Sequence, residues 1–146
     1  MYSVSVAPGG SRKTLPYLVN TLKKASREGR VDAALCLDSP DLLIVPRGAA
    51  DPGPAPCRLT VGAVMEAGDV SCGLGPGDAL TLSSIREDGA MLSLQRELRT
   101  LPGTVLEPQE IPVTLEGRTA PEPEAVLAAA GAMLLLGADP SQGLRL

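Results

Sequence analysis

A chain of 146 residues that is 44% hydrophobic and 21% charged has the size and make-up of a folded domain, not of a disordered segment. Its formal charge of −4, with 13 basic residues scattered among 17 acidic ones, argues against a nucleic-acid partner, and two tyrosines with no Phe or Trp offer bases almost nothing to stack on. Having no histidine, the chain is barred from Ser-His-Asp and Cys-His nucleophile activation and from any His general base.

Tyr2 to Val6 alternates as Y-S-V-S-V, a period-2 pattern that predicts a strand, and Pro8, Gly9 and Gly10 end it. Leu15, Leu18, Val19, Leu22 and Ala25 then fall on one face at helical spacing, with Asn20, Lys23, Lys24 and Arg27 opposite and Gly29 as the stop. Pro16 fits this helix only in its first turn, which makes Thr14 the expected N-cap. Residues 31–38 and 41–46 read as two strands, and Ser39-Pro40 between them suggests a hairpin. A Pro/Gly-rich loop at 47–56 follows, then a strand at 57–64 and a glycine-rich connection at 65–78.

Ala79–Ile85 and Ala90–Leu98 are strand-like and flank the turn Arg86-Glu87-Asp88-Gly89, a hairpin signature. After a turn at 101–104, the prolines Pro108 and Pro112 demote 104–115 to an edge strand or extended arm. The final helix is expected to use Thr119 as N-cap, with Pro121 in its first turn and Glu122 closing a capping box. Ala125 to Leu136 is apolar on every face and so should be buried, in part against a second copy of the chain. The run Ala125–Ala138 is too short for the ~20 residues of a membrane span, and no secretory signal is read at the N-terminus, so the expected location is cytoplasmic.

These elements imply an α/β fold, with α+β as the alternative. Residues 1–146 would form a single domain whose mixed sheet of about six or seven strands packs against two helices. The opening strand–turn–helix–strand unit suits a crossover between parallel strands, with the turn at their carboxyl end.

The turn APGGSRKT, 7–14, resembles a phosphate loop only in part. Aligned on Lys13 and Thr14, the G-x-x-x-x-G-K-[ST] pattern finds Ala7 and Arg12 where glycines belong, and Lys13 precedes the helix instead of opening it. A nucleoside-triphosphate site is therefore not expected. A weaker anion site at Gly9, Gly10, Ser11, Arg12, Lys13 and Thr14 remains a candidate, because helix N-termini favour anions. In SCGLGPGD, 71–78, the glycines Gly73, Gly75 and Gly77 lack the helix a dinucleotide loop requires, so turn formation is the simpler reading. Were this loop to face the first across a cleft, Gly73, Gly75 and Asp78 would join the ligand-binding set, with Thr81, Ser83 and Ser84 as further polar contacts.

Glu107 and Glu110 read as a solvated edge. Cys36, Cys57 and Cys72 are widely spaced and suit free thiols in a reducing compartment, with no metal site and no cofactor expected. No catalytic residue is assigned. Three functions are carried: a non-catalytic binding or assembly module with a protein partner or a second copy; a small-molecule-binding domain for a phosphate- or carboxylate-bearing ligand at Gly9–Thr14; and an enzyme using carboxylates or a Ser-Lys pair of Lys13 with Ser83 or Ser84. Neither nucleic acid nor membrane is expected as a partner.

Overall fold

The structure, a computed structural model, describes residues 1–9, 11–49, 53–62, 69–116 and 122–146. Strand β1 (Tyr2–Val6) turns Tyr2, Val4 and Val6 to the core, as its alternation requires, and Val4 is fully buried. Helix α1 (Thr14–Arg27) buries Leu18, Leu22 and Ala25 on one stripe. Its N-cap is Lys13, one residue earlier than expected and without a side-chain cap; Thr14 is its first residue, and Pro16 still lies in the first turn where no helical bond is lost. Gly29 closes the helix at φ +72, a left-handed position that favours glycine.

Strands β2 (Ala33–Leu35) and β3 (Leu42–Val45) do not form the hairpin that Ser39-Pro40 suggests. Both pair with β1, in parallel and on opposite sides of it. Tyr2–Val4 pairs with β2 and Val4–Val6 with β3, so residues 36–41 carry the chain from one side of β1 to the other at the level of Ser3 and Val4. Asp41 fixes the crossing: its carboxylate accepts from the Ser3 amide at 2.8 Å, and its own amide donates to the Ser3 carbonyl at 2.9 Å.

Beyond β3 lie β4 (Cys57–Val61), β5 (Val70–Cys72) and β6 (Leu80–Ile85), each parallel to its neighbour. Strand β5 falls inside the stretch read as a connection, because only three residues between glycine-rich turns pair. β6 and β7 (Gly89–Leu94) make the expected hairpin, and β7 ends four residues earlier than the sequence suggests. Leu98–Arg99 (β8) and Val105–Leu106 (β9) form a separate two-stranded ribbon.

Strand β10 (Gln109–Thr114) pairs with β7 along its whole length, while β11 (Leu144–Arg145) covers its outer side only at Val113 and Thr114. The segment expected at the edge is thus an edge for part of its length. Pro112 is tolerated there because its missing N–H would point outward, away from the β7 ladder.

The sheet order is β11-β10-β7-β6-β5-β4-β3-β1-β2, nine strands instead of six or seven, with β7 alone reversed. The fold is α/β, and both helices pack on the same aliphatic face of the sheet. Helix α2 (Pro123–Leu135) lies over β3 to β6 and against α1, and every residue from Ala125 to Leu135 is buried within one chain. The burial expected of it is thus supplied within the chain, by the sheet and α1. Glu122 is its extended N-cap and not the third residue of a capping box; Thr119 and Pro121 lie outside the described residues.

On the opposite face, Leu43 and Val45 are covered by Ala49 and Ala55 of the loop after β3. Arg58 anchors that loop by donating to the Gly53 carbonyl at 3.0 Å, and it pairs with Asp69 with both side chains nearly buried.

Candidate functional site

The carboxyl ends of β1 and β3 meet the N-termini of both helices, the usual place for a ligand in an α/β sheet. Gly9 stands here at φ +134, and a Cβ on it would lie 2.6 Å from the Ala49 Cα. Close packing against the following loop is sufficient reason for glycine at this point. Gly10 lies outside the described residues. The Ser11 hydroxyl donates to Glu122 at 3.0 Å and accepts from the Lys13 amide at 3.3 Å, and the Thr14 amide donates to the Ser11 carbonyl. Arg47 pairs with Glu124 and lays its guanidinium over Gly62. Arg12 and Lys13 are exposed, and Thr14 is buried. The Glu122 carboxylate thus stands at the turn read as a candidate anion site, while Glu124 is taken by Arg47.

Gly73, Gly75 and Asp78 come together in a turn that satisfies itself. The Asp78 carboxylate accepts from the Gly75 amide at 3.1 Å and covers Gly73, while the Asp78 carbonyl accepts from the Gln95 side chain at 2.7 Å. Burial, and secondarily the Asp78 charge, push the nearby Cys72 thiol far up. Among the described residues no hydrogen bond or ion pair joins this turn to Ser11–Thr14. Ser83 shares its hydroxyl between the Glu110 carboxylate at 3.1 Å and the Met91 carbonyl at 3.3 Å. No group of three or more Cys, Asp or Glu among the described residues could hold a metal ion, and none of the helices is long and apolar enough to cross a membrane.

A different region offers a cavity. A groove of about 690 Å³ runs between α1 and the end strand β2, within the size range of ligand sites. Leu35 contributes partly exposed apolar surface above the buried Val4 and Leu22, and Lys23, Lys24 and Arg27 bring cations to it; among the described residues no acidic one lines it. Lys24 is held by Glu116, which also takes Arg145. Hydrogen bonds from Lys24, then Arg145, hold the Glu116 carboxyl down to about 2. Lys23 and Arg27 are exposed.

Sequence reasoning found these basic residues as the polar face of a helix but missed that they border a groove. Their counterpart is a strand that becomes the end of the sheet only through pairing with β1. Comparison with known protein families and with curated proteins finds no match to this chain.

Proposed function

We propose that this chain is a non-catalytic binding or assembly module that receives an anionic partner in the groove between α1 and β2. The observation that carries this reading is that the exposed cations Lys23 and Arg27 border the groove beside Leu35, with no carboxylate among the described residues that line it, in a chain whose net charge is negative. The third cation, Lys24, is taken by Glu116. Such a site gives its partner buried area from the floor and orientation from the rim. The three cysteines are free thiols, which supports a cytoplasmic setting for the module.

Isotope-labelled protein titrated with hexaglutamate tests this reading. Amide shifts that saturate at Lys23–Arg27 and Ala33–Leu35, and that are lost when Lys23 and Arg27 are changed to Ala, are the expected result. No shift there up to millimolar peptide would remove the proposal. The second reading, a phosphate- or carboxylate-bearing small molecule at Gly9–Thr14, rests on the exposed Arg12 and Lys13 at the start of α1, and Glu122 weighs against it. Titration with inorganic phosphate would favour it if shifts centred on Ser11–Thr14.

A further inference from the structure

The backbone register of β2 shows what shape of partner the groove can hold. Tyr2 donates to the Asp32 carbonyl and Cys36 donates to the Val4 carbonyl, so Asp32, Ala34 and Cys36 turn their amide groups to β1. Alternation then directs the N–H and C=O groups of Ala33 and Leu35 away from the sheet. The Ala33 carbonyl is taken by the Ser26 hydroxyl of α1 at 2.9 Å. At Leu35 both a donor and an acceptor face outward, at a position that lines the groove.

We infer that the groove takes an extended acidic segment of another polypeptide, which adds to the free edge of β2 as a further strand; this rests on the binding reading given above. Three observations agree with it. From Asn20 to Arg27 the α1 wall runs about 10 Å at 1.5 Å per residue, the length of three strand residues at about 3.3 Å each. The exposed cations Lys23 and Arg27 lie on that wall. The alternate residues of an added strand that turn to α1 therefore meet the charge with carboxylates and Leu35 with their methylenes, while the aliphatic residues between them turn to the opposite face. The two ends of the sheet also differ. At the other edge β10 is partly covered by β11 and carries Pro112, whereas among the described residues β2 has no covering strand and no proline, and β11 reaches only Arg30 ahead of it, through the Arg145 carbonyl.

A small anion would use the cations and leave the Leu35 donor and acceptor unmatched, and a strand uses both. A second copy of the chain is a poorer occupant, since its acidic extended stretch Gln109–Thr114 is already paired with β7.

The test titrates the full chain with the acetylated, amidated peptide Glu-Val-Glu-Val-Glu and with the same peptide N-methylated at alternate amides. Saturating shifts at Ala33–Cys36, at least tenfold weaker binding on N-methylation, and at least tenfold weaker binding for Lys23→Glu with Arg27→Glu are the expected results. A thermal melt confirms that the double variant is folded. If N-methylation leaves affinity unchanged while the charge reversal lowers it, strand addition is overturned and the groove reading stands. If the peptide causes no shift at the groove, both fall. Tighter, Lys23- and Arg27-dependent binding to phosphatidylglycerol vesicles than to the peptide, or self-association without peptide that the charge reversal abolishes, would overturn the inference in favour of a lipid surface or a second copy.

Discussion

The two helices of this chain are of similar length and pack side by side, yet they do opposite work. α1 is amphipathic, with buried Leu18 and Leu22 on one side and exposed Lys23 and Arg27 on another. α2 carries no charge between Ala125 and Leu136 and is buried all round. The contrast teaches where to look for each kind of effect. Changes in α2 should be felt as stability and changes on the outer face of α1 as recognition, because only one of the two helices has surface left to offer.

The sharpest way to break this comparison is to excavate α2. Leu134→Ala removes a side chain with 0% exposure and should lower unfolding free energy by about 2–5 kcal/mol in urea denaturation. Leu15→Ala, on an α1 residue with 41% exposure, should lower it by less than about 0.5 kcal/mol. Gly131→Val comes next. A Cβ at Gly131 already stands 3.1 Å from one Leu59 methyl carbon and 3.2 Å from one of Leu80, so the larger side chain should destabilise by about 1–3 kcal/mol through overpacking. Gly29→Ala, at the end of α1, meets no neighbouring atom within 4 Å, and its expected loss of about 1 kcal/mol comes from the left-handed backbone alone.

Acid should separate the outer charges from the core. The Glu116 carboxyl is depressed in the folded chain, from its ordinary 4.5 to about 2. Its contribution is therefore complete above pH 4.5 and lost as pH falls toward 2. Glu116→Gln should flatten the stability profile in that window by lowering stability at neutral pH toward the value the natural chain reaches in acid. Smallest of all, Lys23→Ala with Arg27→Ala should move stability by no more than about 0.5 kcal/mol. A loss comparable to that of Leu134→Ala would dissolve the distinction between the helices.

Much of this architecture was legible in the residues. The stripe Leu18, Leu22, Ala25 and the stop at Gly29 define α1, and Pro16 places its start to within one residue, since a proline is harmless in the first turn and damaging beyond it. The unbroken apolar run from Ala125 announces a swallowed helix, although nothing in it says whether the same chain or another does the swallowing. Pairing was harder to read. Residues 31–46 look like a hairpin because proximity in sequence is the visible cue, and the strand that separates β2 from β3 is β1, thirty residues earlier. β5 escaped because three residues are too few for a periodicity to register.

Of the candidate site, the turn residues were visible and the groove was not. Glycines and cations announce themselves in one dimension, and a groove between a helix flank and a sheet end exists only in three. Glu122, which changes the electrostatics of the Ser11–Thr14 turn, comes from more than a hundred positions away.

The position of α2 in the chain has a consequence for biosynthesis. Every strand it covers, β3 to β6, is translated before it. As the polypeptide leaves the ribosome, the aliphatic side of a growing sheet stays wet until the final helix emerges to blanket it, and such exposed apolar surface is prone to aggregate. A stop codon placed ahead of residue 123 would yield a sheet without its cover, and such a fragment should be found in inclusion bodies.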